Sequence, residues 1–128
     1  MSATGLDVFD KSLQVTNIWL NEIMQDHGPD RQRAWHILSA VLRAVRDRLP
    51  ADLAAHLGAQ LPLLVRGTFY DQFEPSRLPD RSRSAKEFLH HVDENMDGAR
   101  PVDSEDAVQS VFKVLSHHLD PGQVRKVR

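Results

Sequence analysis

A chain of 128 residues with 41% hydrophobic and 27% charged residues has the balance of one folded domain, not of a disordered or fibrous chain. A formal net charge of −2 removes any bulk electrostatic argument for nucleic acid or anionic membrane, and zero cysteines exclude disulfides, thiolate-bound zinc and a thiol nucleophile. No run approaches ~20 apolar residues, and the opening Met-Ser-Ala-Thr-Gly-Leu-Asp lacks the basic and apolar regions of a secretory signal, so a cytoplasmic protein without a membrane span is expected.

The first predicted helix runs from about Leu6 to Asp26, with Phe9, Leu13, Thr16, Leu20 and Ile23 on one stripe and Trp19 and Met24 widening it. His27-Gly28-Pro29 ends it, because Gly tolerates a left-handed cap and Pro cannot continue the hydrogen-bond ladder. The second starts at Asp30 and carries Ala34, Ile37, Leu38, Val41, Leu42, Val45 and Leu49 on one face. Arg31, Arg33, Arg43, Arg46 and Arg48 fall on the other, and Pro50 closes it. A short third helix, about Asp52 to Gln60, points Leu53, Leu57 and Leu61 inward. Pro62 then sits where a helix begins, since its missing N–H costs nothing there. The fourth segment, Leu61 to about Phe73, spreads Leu63, Leu64, Val65, Phe69, Tyr70 and Phe73 around most of its circumference. Such a helix is either central in the core or half-committed to a partner.

Pro75, Pro79 and several charges make residues 74–83 the one long connection. Ser84 with Glu87 forms a capping box for a fifth helix bearing Ala85, Phe88, Leu89, Val92 and Met96, broken by Asp97 to Pro101. Asp103 or Ser104 caps a sixth with Ala107, Val108, Val111, Phe112, Leu115 and Leu119, and Asp120-Pro121 opens a short seventh. No segment alternates with period two, so sheet is not expected. The fold class is all-α: a compact bundle of about seven helices.

An internal repeat organises these pieces. At a shift of 70, Leu38 meets Val108, Val41 meets Val111, Leu42 meets Phe112 and Leu49 meets Leu119. At a shift of 69, Trp19 meets Phe88, Leu20 meets Leu89 and Ile23 meets Val92. Any two amphipathic helices align apolar to apolar. The coincidence of the turns as well favours two pseudo-repeated helical hairpins, each with an apolar face it cannot bury alone. A single domain over residues 1–128 follows, with repeat unit one at about 6–73, a linker at about 74–83 and repeat unit two at about 84–128.

Phe9-Asp10, Thr16-x-x-Trp19-Leu20, Arg33-Ala34, Val41-Leu42 and Arg46-Asp47-Arg48-Leu49-Pro50 recur in one bacterial family. So do His56-Leu57-Gly58-Ala59-Gln60-Leu61-Pro62, Arg66-Gly67 and Tyr70. On these residues the chain resembles, over its full length, the bacterial family called domain of unknown function 2267. The string from His56 to Pro62 is the specific part. Members often place Gly-Trp after the aromatic pair, where this chain has Asp71-Gln72-Phe73. The resemblance implies an all-helical fold and brings no activity, cofactor or catalytic residue with it.

Seven histidines invite a metal, and Glu87-x-x-His90 has the spacing of carboxylate-bridged di-iron bundles. A second copy of that motif is missing, and adjacent side chains in the doublets His90-His91 and His117-His118 diverge by ~100° on a helix, too far to face one ion. A structural or solvent-facing role is favoured, with weak divalent-metal binding as an alternative. His56, between Leu53 and Leu57, is expected to bond a neighbouring helix end. No nucleophile elbow or phosphate-cradling glycine loop occurs, so no catalytic, cofactor-binding or metal residue is assigned. Arginine outnumbers lysine twelve to four, and five arginines on the second helix could meet phosphates. Without interleaved aromatics a solvated, ion-paired face is favoured, and nucleic acid is the disfavoured partner.

Interaction remains. Leu64, Arg66, Phe69, Tyr70 and Phe73 are the candidate patch, with aromatics at its centre and Arg66 and the arginines of the 77–83 stretch at its rim. A non-catalytic interaction module in a bacterial cytoplasm, binding a protein partner or a second copy as a homodimer, is the expected function. Nucleic-acid binding through the second helix and weak metal binding are the alternatives.

Overall fold

A computed structural model describes residues 5–74, 85–96, 103–119, 121, 122 and 124. Among them are six α-helices and no strand: α1 (Asp7–His27), α2 (Arg31–Arg48), α3 (Ala51–Gln60), α4 (Leu63–Tyr70), α5 (Ala85–Asn95) and α6 (Ser104–His118). Six stand where about seven were expected. The seventh expected segment, the capping serine at position 84 and the connection at 75–83 fall wholly or largely outside the described residues. No helix among those residues is long and apolar enough to cross a membrane.

Caps set the helix ends. The Asp30 carboxylate accepts the Arg33 N–H at 3.1 Å, and Asp103 accepts the N–H groups of Glu105 and Asp106 at 2.9 and 3.1 Å. Each satisfies donors that the first turn leaves open. Gly28, at φ 97°, lies in the left-handed region and closes α1 through a 2.9 Å bond from its N–H to the Met24 carbonyl. The three-residue turn that follows sends α2 back along α1.

The central element is α2, not the fourth helix. Ten of its eighteen residues are buried, and α1, α4, α5 and α6 all pack against it. Ala34, Ala40 and Ala44 interleave with Ile37, Leu38, Val41, Leu42 and Val45, all at 2% exposure or less. Small residues on so many sides let four helices approach one axis. The other helices each bring a single stripe: Trp19, Leu20 and Ile23 from α1, Phe88 and Val92 from α5, and Ala107, Val111, Val114 and Leu115 from α6. α4 buries only Val65, Thr68 and Phe69, a single inward face on a surface helix.

α1 and α6 run antiparallel, since Glu22 meets His117 and His118 while Asp26 and His27 meet Ser110. Burial along α1 begins only at Thr16; every residue from Gly5 to Val15 is exposed or half-exposed. Phe9 and Leu13, expected on the buried stripe, are 48% and 42% exposed. Their spacing suits a core, but among the described residues the start of α4 borders α1 on the side of Val8 and Val15 and leaves Phe9 and Leu13 half-exposed.

Candidate interaction surface

The signature string from His56 to Pro62 builds the joint between α3 and α4. Gly58 is buried, and a Cβ placed on it would run into the Tyr70 ring. Glycine is therefore required by close approach, with the aromatic of α4 lying across the α3 backbone. Arg66 reaches back from α4 and caps the end of α3. Its Nε donates to the Gly58 carbonyl at 2.9 Å, and its Nη2 to the carbonyls of Ala59 and Leu61 at 3.2 and 3.0 Å. A guanidinium fork suits the last carbonyls of a helix, which lack intrahelical donors and carry its negative dipole end. His56 is exposed on the outer side of α3.

Two arginines of α2 do the same for α4. Arg46, 4% exposed, donates from Nη1 to the carbonyls of Phe69 and Asp71 at 2.9 and 2.7 Å. Its Nε and Nη2 engage both oxygens of Asp47 at 2.8 and 3.2 Å, so the buried charge is neutralised by its chain neighbour. Its guanidinium carbon lies 5.4 Å from the centre of the Phe73 ring. Arg43 donates to the Thr68 carbonyl at 3.0 Å, to the Thr68 hydroxyl at 3.1 Å and to Asp71 at 3.0 Å. The Thr68 hydroxyl in turn donates to Ser39 at 2.9 Å. Elsewhere on α2, Arg31 bonds Asn17 at 2.9 Å and Arg48 lies 5.1 Å over the Phe88 ring. The stripe read as a solvated basic face is largely turned onto the protein's own backbone and rings.

These contacts divide the patch expected from the sequence. Phe69 is 0% exposed and belongs to the core. Tyr70 and Phe73 are half-buried and continue a series from Phe69, Tyr70 edge-on to Phe69 with centroids 5.1 Å apart and Phe73 tilted against Tyr70 at 5.7 Å. Arg66 is occupied by α3. Leu64 alone of the five faces outward as a large apolar side chain, 40% exposed, beside Leu63 at 48%.

The remaining exposed large hydrophobics among the described residues are Leu6, Val8, Phe9, Leu13, Val15 and Ile18, all on α1 or just before it. An open groove of about 580 Å³ bordered by Val8, Val15, Leu61, Leu63 and Arg66 brings the two stretches together. The candidate surface is thus the overhanging half of α1 joined to the start of α4. Periodicity alone could not find it, because a stripe that is buried and one that is bare look identical in sequence.

The titratable groups pair off rather than converge. His117 Nδ1 and His118 Nε2 bond the two oxygens of Glu22 at 2.8 and 2.7 Å. The doublet thus shares a carboxylate because a carboxylate has two acceptors. His118 also stacks on Trp19, with centroids 5.4 Å apart. Burial raises the Glu22 pKa, but the hydrogen bonds and positive charge of His117 and His118 outweigh it and hold the carboxyl below its usual value. His90 pairs with Glu94 at 2.9 Å, one turn along α5. Ser110, 5% exposed, donates to Asp26 at 2.8 Å and lies 2.9 Å from His27 Nε2. In that arrangement the serine proton is directed at the carboxylate, whereas an activated nucleophile needs the histidine between them. Among the described residues no group of three or more histidines and acids is placed to hold a metal ion.

Residues 16–128 match the model of an uncharacterized conserved protein family, DUF2267. No curated protein matches the chain.

Proposed function

The chain belongs to the DUF2267 family of uncharacterised conserved proteins, and from that premise we propose that it is a non-catalytic interaction module that associates with a second copy of itself. One observation carries this: every exposed large hydrophobic among the described residues lies in Leu6–Ile18 or at Leu63 and Leu64. Scattered apolar residues on a surface mean little, but a set concentrated on one stretch of α1 and the start of α4 is the pattern of an interface. A second copy is the simplest occupant, since most soluble oligomers are symmetric assemblies of one chain.

The bacterial cytoplasm is the setting we assign, on the excess of arginine over lysine and the family resemblance. We also read the hairpins α1–α2 and α5–α6 as a pseudo-repeat. The alignment of Trp19 with Phe88 and of Ile23 with Val92 supports it, both members of each pair being buried. Nucleic-acid binding through α2 has less support, because Arg43 and Arg46 are engaged by α4.

Sedimentation equilibrium tests the proposal. The wild-type chain should run as a dimer or larger in the micromolar range. Phe9→Asp with Leu13→Asp should run as a monomer of unchanged helical circular dichroism. A wild-type monomer at high micromolar concentration would overturn it.

A further inference from the structure

We infer that the groove between α2, α5 and α6 seats an amphipathic helix of a partner protein, in the place that α4 takes on the first hairpin. This goes beyond self-association and rests on the pseudo-repeat read above. On α2, three residues bond α4. The Thr68 hydroxyl donates to Ser39, and Arg43 and Arg46 donate to the carbonyls of Thr68 and Phe69. At the 70-residue shift, Ser39, Arg43 and Arg46 fall on Gln109, Lys113 and Ser116 of α6. All three line a groove of about 740 Å³. α1 also packs against α4, and at the 69-residue shift its Thr16 and Trp19 fall on Ala85 and Phe88 of α5, which line the same groove. The seat of α4 on the first hairpin and the groove on the second are thus built from corresponding helices, and on α6 from corresponding residues.

The chemistry of the occupant follows from α4 and from what differs between the two places. α4 turns Val65 and Phe69, one turn apart, into the protein together with Thr68. The groove offers apolar walls in Leu49, Phe88 and Phe112, so it suits a helix with an aliphatic residue and an aromatic four positions later. Charge does not select the occupant: Lys113 is paired with Asp26 at 4.0 Å, and Arg48 lies over the Phe88 ring. α4 is held fast, because a two-residue turn joins it to α3 and Arg46 grips the carbonyls of Phe69 and Asp71. Ser116 stands at the position equivalent to Arg46, with neither the length nor the donors of a guanidinium. A helix in the groove is therefore held mainly by apolar contact and can leave, as a helix supplied by another chain must.

A helical peptide of α4's own sequence tests the seat. The probe is residues 62–73, stapled between positions 63 and 67, which leaves Val65 and Phe69 free on the other side. By fluorescence anisotropy it should bind the full chain at one saturable site. Gln109→Glu with Ser116→Glu, both at exposed positions on α6, should weaken binding about tenfold or more, with helicity and self-association unchanged. Phe69→Asp in the peptide should weaken it as much. Phe9→Asp with Leu13→Asp in the protein should leave peptide binding intact, which separates this site from the self-association surface. No saturable binding, or binding that the groove variant leaves intact, overturns the seat. A groove variant that abolishes self-association gives the groove to a second copy and overturns the assignment to a partner protein. A crystal structure in which α1–α2 fails to superpose on α5–α6 at the 70-residue shift removes the repeat and the seat with it. Superposition without peptide binding removes the seat alone.

Discussion

Gly58 and Tyr70 occupy the same few ångströms: the tyrosine ring lies where any side chain on residue 58 would have to begin. Two helices joined by a two-residue turn are locked by that contact, and Arg66 ties the same joint from the other side. Gly58→Ala in a helix would ordinarily stabilise by up to about 1 kcal/mol. Here the clash reverses the sign, and a loss of about 1–3 kcal/mol is expected from denaturant midpoints. The combination with Tyr70→Ala should cost less than the sum of the two single changes. Additive losses would mean that the ring does not occupy that space.

Arg46→Met strips donors from the carbonyls of Phe69 and Asp71 and leaves Asp47 without its fork. Its near-complete burial means that water cannot substitute. A loss of about 3 kcal/mol is expected on urea unfolding. Arg43→Met, at a side chain 24% exposed, should cost nearer 1 kcal/mol. Equal costs for the two would contradict the division between them.

Glu22 is a carboxylate whose folded pKa is depressed below the ordinary 4.5. Its contribution is therefore complete above that pH and is lost as the pH falls below it. Glu22→Gln should flatten the fall of stability in that acid range and cost about 1 kcal/mol at neutral pH, since His117 and His118 lose an ionised acceptor. Thermal melts of both proteins from neutral pH down to below 4.5 measure the difference. Parallel curves would place the acid sensitivity elsewhere.

Phe69 and Phe9 are the same residue type with opposite standing, at 0% and 48% exposure. Phe69→Ala should cost about 3–5 kcal/mol. Phe9→Ala, measured under monomeric conditions, should stay within about 0.5 kcal/mol of wild type. A large loss at Phe9 would mean that the overhang packs against its own chain.

Local chemistry was legible where it sufficed. Asp30 and Asp103 cap, Gly28 terminates, and the apolar periodicity of α2 and α6 marks the faces that are buried. Each of these is decided within a few residues of chain. Less legible was anything depending on where a neighbour stops. Phe9 and Leu13 carry the same spacing as Leu20 and Ile23, yet they are 48% and 42% exposed. α4 ends at Tyr70 rather than near Phe73, because Asp71 leaves helical geometry and Gln72 turns to φ 60°. The arginines were misread for a related reason. Their acceptors are backbone carbonyls at the ends of α3 and α4, groups that every residue has and that no sequence pattern marks. The acidic partner of the histidine doublet, Glu22, lies some 95 residues away and was equally hidden.

The overhang of α1 has a dynamic consequence. A helical stretch too short to sustain itself in water, with no buried residue before Thr16, owes much of its order to the anchored turns behind it. Amide protons from Asp7 to about Gln14 should therefore exchange with solvent far faster than those from Thr16 onward, in a gradient that steepens toward Asp7. Whatever captures those turns must also complete their folding, so recognition and ordering become one event and protection of these amides reports occupancy directly.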